Sequence, residues 1–217
     1  MKKLFSVLVF IAISVFANTE AVCAQRYRLQ ETIKPFSNYT SGNKEANGVF
    51  KIIDTETGDI LYFKRTFESE IENTRRANQI NFGPDPIIHI VKIADLTDEQ
   101  IDDIAHQIGL FVPKYVRADT WLVTEKIPDG VSLLSVIMHS GFLGDDTQIT
   151  FEEIDQIVRE LKIMHDGGIN HTDLPRNIIL HRESDGKLQA YILDFEGAGK
   201  QGIDYVETEL EKLKKRM

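Results

Sequence analysis

The sequence predicts an α+β fold arranged as two small lobes, and three stretches carry that prediction. In the first half, residues 49–53 and 60–64 are β-prone runs joined by D-T-E-T-G-D, a hairpin signal. In the second half, Thr150 opens the clearest helix of the chain. Glu153 stands at its capping-box position, and Phe151, Ile154, Ile157, Val158, Leu161 and Met164 fall on one face. Beyond that helix, 177–181 and 188–195 are apolar strand-like runs about the turn E-S-D-G-K. Strands and one helix, then a connector, then mainly helices with one hairpin give the α+β order.

Residues 1–24 read as a cleavable export signal. Lys2 and Lys3 give a basic start, 4–16 is an apolar run of thirteen, and Val22 and Ala24 put small residues at the −3 and −1 positions. The run is shorter than the ~20 apolar residues of a spanning helix. Glu20 stands where a lipoprotein signal through Cys23 wants Leu. Without the signal, 193 of the 217 residues remain, enough for one domain or two small lobes. Losing Lys2, Lys3 and Glu20 leaves 23 basic against 33 acidic residues, a balance that argues against a nucleic-acid partner. Cys23 is the only Cys and departs with the signal, so disulfides, thiol chemistry and Cys-based zinc sites are excluded. The expectation is an exported monomer, secreted or periplasmic, with no stable membrane insertion after cleavage.

The remaining elements follow in order. Residues 26–33 alternate as a first strand, and 35–48 are turn-rich, with Gly42 and Gly48. Residues 67–80 read as a polar helix with Phe67, Ile71, Thr74 and Asn78 on one side, ended by G-P-D-P. A strand is expected over 87–93. Thr97 and Gln100 make a capping box for a helix that Gly109 closes. Residues 111–116 and 120–127 read as a further strand pair, with Trp121 in the core, and Pro128-Asp129-Gly130 as a connector. Ser132 caps a short helix through Met138, Gly167-Gly168 end the long one, and T-E-L-E-K-L-K-K-R is a closing amphipathic helix.

Asp173 precedes the first strand-like run of the late hairpin, Asp194 stands near the end of the second, and Asn177 lies one helical turn after Asp173. Phosphoryl transfer from ATP needs such a set: one carboxylate to orient the attacking hydroxyl, and an Asn and a second carboxylate to hold Mg²⁺. Taken singly, these are ordinary turn residues. Their pairing across a hairpin carries the signal. His89, His106, His139, His165 and His181 are scattered without ligand spacing and suggest no metal.

The order hairpin, Lys, helix, V-T-E-K-I-P-D-G-V-S-L, long helix, H-T-D-L-P-R-N-I-I-L and I-L-D-F-E resembles the protein-kinase-like superfamily over most of the chain after residue 24. The resemblance implies a two-lobed minimal kinase-like fold. A small antiparallel-sheet N-lobe spans 25–127 and a reduced, mainly helical C-lobe spans 128–217, with ATP and Mg²⁺ between them. It implies Asp173 as the catalytic-loop Asp, braced by His171, and Asn177 and Asp194 as metal ligands. Lys64 would meet the α and β phosphates with Glu70 as its helix partner. Glu125 and Ile127 would meet the adenine edge through main chain.

Several positions depart from the superfamily pattern. Asp173 and Asn177 differ by four where the pattern has five, so Asn177 either still reaches the metal or caps the strand. Glu196 replaces the Gly of D-F-G, and Gly42 and Gly48 are all that stands for a glycine-rich loop. Lys51 and Arg65 compete with Lys64, and Glu68 and Glu72 with Glu70. By size and layout the chain resembles compact bacterial effector kinases of the HopBF type, which phosphorylate a host chaperone. The expectation is a secreted minimal kinase acting on a protein Ser or Thr hydroxyl. The alternatives are a small-molecule phosphotransferase of the aminoglycoside-kinase or lipopolysaccharide-kinase kind, and a pseudokinase or nucleotide-binding module.

Overall fold

The computed structural model describes residues 25–34, 48–110, 121–144, 147–169, 171, 173–195 and 202–217. The signal at 1–24, the turn about Gly42, the strand expected over 111–116 and Glu196 lie outside these residues. Among the described residues the strands are β1 (Tyr27–Lys34), β2 (Val49–Asp54), β3 (Ile60–Arg65), β4 (Ile88–Ile90), β5 (Ile93–Ala94), β6 (Trp121–Glu125), β7 (Val131–Ser132), β8 (Ile178–Arg182) and β9 (Leu188–Ile192). The helices are α1 (Glu68–Ala77), α2 (Asp98–Gln107), α3 (Leu133–Met138), α4 (Phe151–Asp166), α5 (Leu174–Asn177) and α6 (Ile203–Lys214). The fold is mixed α+β, and none of these helices is long and apolar enough to cross a membrane.

One sheet runs β1-β2-β3-β6-β5, antiparallel throughout. Side chains alternate across a strand, so each strand feeds both faces. Phe50, Ile52, Phe63, Trp121 and Val123 point to one face and pack against Ile101, Ile104 and Ala105 of α2 as a first hydrophobic cluster. The rings of Phe63 and Trp121 stack at 4.4 Å. Tyr62, Lys64, Leu122 and Thr124 go to the other face, where they line a cavity. The expected capping box starts α2: Thr97 Oγ1 accepts the Gln100 N–H at 3.3 Å, and Gln100 Oε1 accepts the Thr97 N–H at 2.8 Å.

The second sheet runs β4-β9-β8-β7, with β4 parallel to β9 and the other pairs antiparallel. Leu180, Ala190 and Ile192 of this sheet share a second cluster with Val136 of α3, Ile157 and Leu161 of α4, and Leu210 of α6. Thr150 and Ser132 cap α4 and α3, as their sequences predict. Arg182 on β8 grips Glu153 on α4 through two nitrogens at 2.7 and 3.1 Å, so the helix start is tied to the hairpin.

Four local expectations need correction. The strand expected over 87–93 is two strands in different sheets. Val91 N–H still follows β9 by donating to Ile192 O, while Glu125 N–H already donates to Lys92 O. An apolar run specifies extended chain and burial; it does not specify which neighbour completes the ladder. Phe67 is not on the inner side of α1: it precedes the helix and is 45% exposed, while Glu70, Ile71, Thr74 and Ala77 face inward. Asn177 does not begin a strand but ends the single turn α5, where Pro175 fits because a first-turn N–H needs no helical partner. On α4, Phe151 is exposed, whereas Glu160 is buried on the inner side.

Glu160 has a definite task there. Its Oε2 accepts the N–H groups of Ile87 at 3.1 Å and Ile88 at 2.7 Å, and its Oε1 accepts from Gln156 Nε2 at 2.8 Å. The carboxylate thus pins the start of β4 to α4. Removing it leaves buried donors without an acceptor. Glu160→Ala should therefore lower the unfolding free energy by about 2–4 kcal/mol in urea titration. A loss under about 1 kcal/mol would show that water replaces the carboxylate.

Candidate active site

A cavity of about 480 Å³ lies against the inner face of the first sheet and reaches the end of β9, with Tyr62, Lys64, Glu70, Leu122, Leu193 and Asp194 in its wall. Lys64 is in register with Val49 on β2 and Leu122 on β6, and all three line the cavity. Lys51 and Arg65 do not. Lys64 Nζ stands 2.8 Å from Glu70 Oε1 and also pairs with Asp194 Oδ1. Glu70 is the one buried carboxylate of the first turns of α1, because it shares the inward stripe of Ile71, Thr74 and Ala77; Glu68 and Glu72 face outward. Burial pulls the Lys64 ammonium down, but the Glu70 and Asp194 carboxylates outweigh it and hold the group above the ordinary lysine range.

Ahead of the late hairpin, α4 ends and the chain turns through Gly168, whose φ of +81° suits glycine. His171 follows and is only 2% exposed. Its Nε2 lies 3.0 Å from Leu193 O, and its Nδ1 accepts the Asp173 N–H at 3.2 Å. A carbonyl only accepts and an amide N–H only donates, so the ring carries its proton on Nε2 and is neutral. Burial holds the His171 pKa below its ordinary value, although the Leu193 carbonyl and the nearby carboxylates oppose it. The ring also packs on Phe195 at 5.0 Å.

Leu193 is where the polar residues converge. Its carbonyl holds His171, which holds the Asp173 backbone, and its N–H donates to Asn177 O at 3.0 Å. Asp194 comes next in a left-handed conformation with φ of 62°, which Asp tolerates better than most residues. Asp173, Asn177 and Asp194 are thus gathered about one residue of the strand end. Lys64 and Glu70 reach the same point from the first sheet and α1. Among the described residues no group of three or more His, Cys, Asp or Glu side chains forms a metal cluster. Asp194 carries a carboxylate oxygen and Asn177 an amide oxygen, the hard donor types that suit Mg²⁺.

Glu125 and Ile127 also line the cavity. The Glu125 N–H donates to Lys92 O at 3.1 Å, and its carboxylate accepts the Lys92 N–H at 3.1 Å. Of its main-chain groups, the carbonyl is therefore the one not used in that pair. Val49, Tyr62, Leu122, Thr124, Ile179 and Leu193 are also in the wall, and the sequence does not single them out. Tyr62 was within reach, since it lies two residues from Lys64 on one strand face. Leu122, Ile179 and Leu193 needed strand register.

A family model for lipopolysaccharide kinases, the Kdo/WaaP family, matches residues 105–217. The chain belongs to the lipopolysaccharide kinase family. This places it in the protein-kinase-like superfamily and makes it a kinase-type phosphotransferase. The match spans His171, Asp173, Asn177 and Asp194, while Lys64 and Glu70 precede it and are placed by geometry alone. It carries the superfamily and gives nothing for effector kinases in particular. No curated protein matches the chain in direct comparison.

The neutral state of His171 has a measurable consequence. Unfolded, its imidazole titrates near about 6.5; folded, its pKa is lower. Between the two values the unfolded chain binds more protons. Stability is therefore full above about pH 6.5 and falls as pH drops toward the folded value. Unfolding free energies from guanidinium titration should decline over that range in the wild type. They should decline less in His171→Asn, since carboxylates titrate lower, near about 4. Equal slopes would overturn the buried, neutral reading.

Proposed function

We propose that this chain transfers the γ-phosphoryl group of ATP to a hydroxyl of a sugar. The observation that carries the reading is the convergence on the end of β9. Lys64, paired to Glu70 and Asp194, lines one cavity of about 480 Å³, and Leu193, the residue before Asp194, accepts from the His171 ring that holds the Asp173 backbone. The sugar acceptor is supported by the family's description alone. We read the two hydrophobic clusters as the cores of two lobes, with the 125–130 connector between them and the cavity where they meet.

In this mechanism Lys64 receives the α and β phosphate oxygens, with Glu70 holding its ammonium in place. Val49, Leu122, Ile179 and Leu193 give apolar walls suited to a purine, and the Glu125 carbonyl and the Ile127 main chain face its edge. Asp194 and Asn177 would hold Mg²⁺, which when bound supplies neutralisation of phosphate charge. Asp173 accepts the proton of the acceptor hydroxyl as its oxygen bonds to the γ-phosphorus. The bond from that phosphorus to the β–γ bridging oxygen breaks, and ADP departs. Catalysis comes from positioning and charge stabilisation, with no covalent enzyme intermediate.

Radiolabel transfer from γ-³²P-ATP with Mg²⁺ tests this, with a lipopolysaccharide core saccharide and a protein mixture as competing acceptors. Label should enter the saccharide. Asp173→Ala should lower kcat by about 10²–10⁴-fold while leaving nucleotide affinity near wild type. Asp194→Ala should weaken Mg²⁺-dependent nucleotide binding itself. Label on protein alone would remove the sugar acceptor, and absence of nucleotide binding would remove the kinase reading.

A further inference from the structure

A second cavity, of about 540 Å³, opens beside the connector. It shares Glu125 with the first but contains none of Lys64, Asp173, Asn177 or Asp194. Its floor is aromatic: His89 on β4 and Tyr191 on β9 are register partners, with rings 5.4 Å apart. Phe82, Pro86 and Pro128 give it apolar sides.

The polar groups here are mostly donors. Lys92 is exposed and has no carboxylate partner among the described residues. Lys126 has only a long 3.4 Å contact with Asp129, whose side chain is 94% exposed and competes with water for it. Asn81 lines the cavity with its Oδ1 already taken by the Gly83 N–H, which leaves its amide donors. The single acid in the wall, Glu125, has Oε1 engaged by the Lys92 N–H. His89 Nε2 is buried and lacks a hydrogen-bond partner, an exception among buried polar atoms. On a chain of net charge −9, the two ammonium groups outnumber the one carboxylate, Glu125, in this wall and leave it locally positive.

We propose that this cavity binds a small organic anion, a phosphate or carboxylate carried on a flat apolar body, at a site separate from the phosphoryl-transfer cleft. The ammonium groups and the Asn81 amide hold the anion through charge-assisted hydrogen bonds. The His89–Tyr191 floor and the proline and phenylalanine sides take the apolar body. The volume lies in the range of small-molecule sites.

Amide NMR titration of the full chain with phenyl phosphate and with benzoate tests the proposal, with benzyl alcohol as the uncharged control. At least one anion should shift the Lys92, Lys126 and Tyr191 amides saturably, and benzyl alcohol should bind more weakly. Which anion binds identifies the acid group. In the Lys92→Ala/Lys126→Ala double variant the affinity should fall by about tenfold or more, since both charge-assisted contacts are lost. Lys92 is exposed and Lys126 is half-buried, and an otherwise unchanged spectrum verifies the fold of the variant. Lys64→Ala should leave these shifts in place, which keeps the result independent of the kinase reading. Shifts confined to Lys64 and Leu193, shifts that do not saturate, no shifts at all, benzyl alcohol binding as well as the anions, or an affinity unchanged in the double variant would each overturn the proposal.

Discussion

The cleft depends on one cation shared between two carboxylates. Lys64 comes from β3, Glu70 from the next element α1 and Asp194 from the end of β9, so a single ammonium group joins two neighbouring elements to one 130 positions away. Its side chain is 17% exposed and that of Glu70 only 3%, so both charges are largely out of water. Desolvating each costs several kcal/mol. The arrangement holds because each charge has an opposite one beside it, and removing Lys64 would leave both carboxylates without their cation. The same constraint aims the cation. A lysine pinned from two sides is held in the cavity wall.

The rest of the architecture keeps those three elements in register. Residues 88–94 leave the second sheet at β4 and join the first at β5, so one short segment belongs to both. Glu160 anchors its start, and Asn78 Nδ2, just past α1, donates to Val91 O at 3.2 Å near its middle. Movement of α1 relative to β9 is therefore resisted by backbone hydrogen bonds as well as by the ion pairs. Leu193 has the same role on the other side, with both of its backbone groups committed, one to Asn177 and one to His171. The polar residues rest on strand ends and a single helical turn, which position groups more closely than free loops do.

Legibility in the sequence follows the range of the interaction. Thr97, Ser132 and Thr150 announce helix starts because a cap is satisfied three residues away, and all three caps are present. The two hairpins are legible because turn chemistry and alternation lie within a dozen residues. Asp173, Asn177 and Asp194 stood out as a set since a hairpin brings its two ends together whatever surrounds it. The apolar run at 87–93 could not reveal that it serves two sheets. Nor could the apolar face of α4 reveal that Glu160 sits inside it, because the N–H groups that make burial tolerable belong to residues over seventy positions upstream.

The late hairpin with its two Asp residues, the helix caps and the acidic balance were determined by the sequence alone, for each rests on local chemistry or on composition. The tertiary structure alone decided that Glu70, and neither Glu68 nor Glu72, meets Lys64. Three carboxylates within five residues are alike until packing selects one helical stripe to face inward. It alone decided that Asp194 completes that pair, since no local rule relates residues 130 positions apart. A strand end, a helix face and a sheet had first to bury their apolar sides before one buried ammonium could find both of its partners.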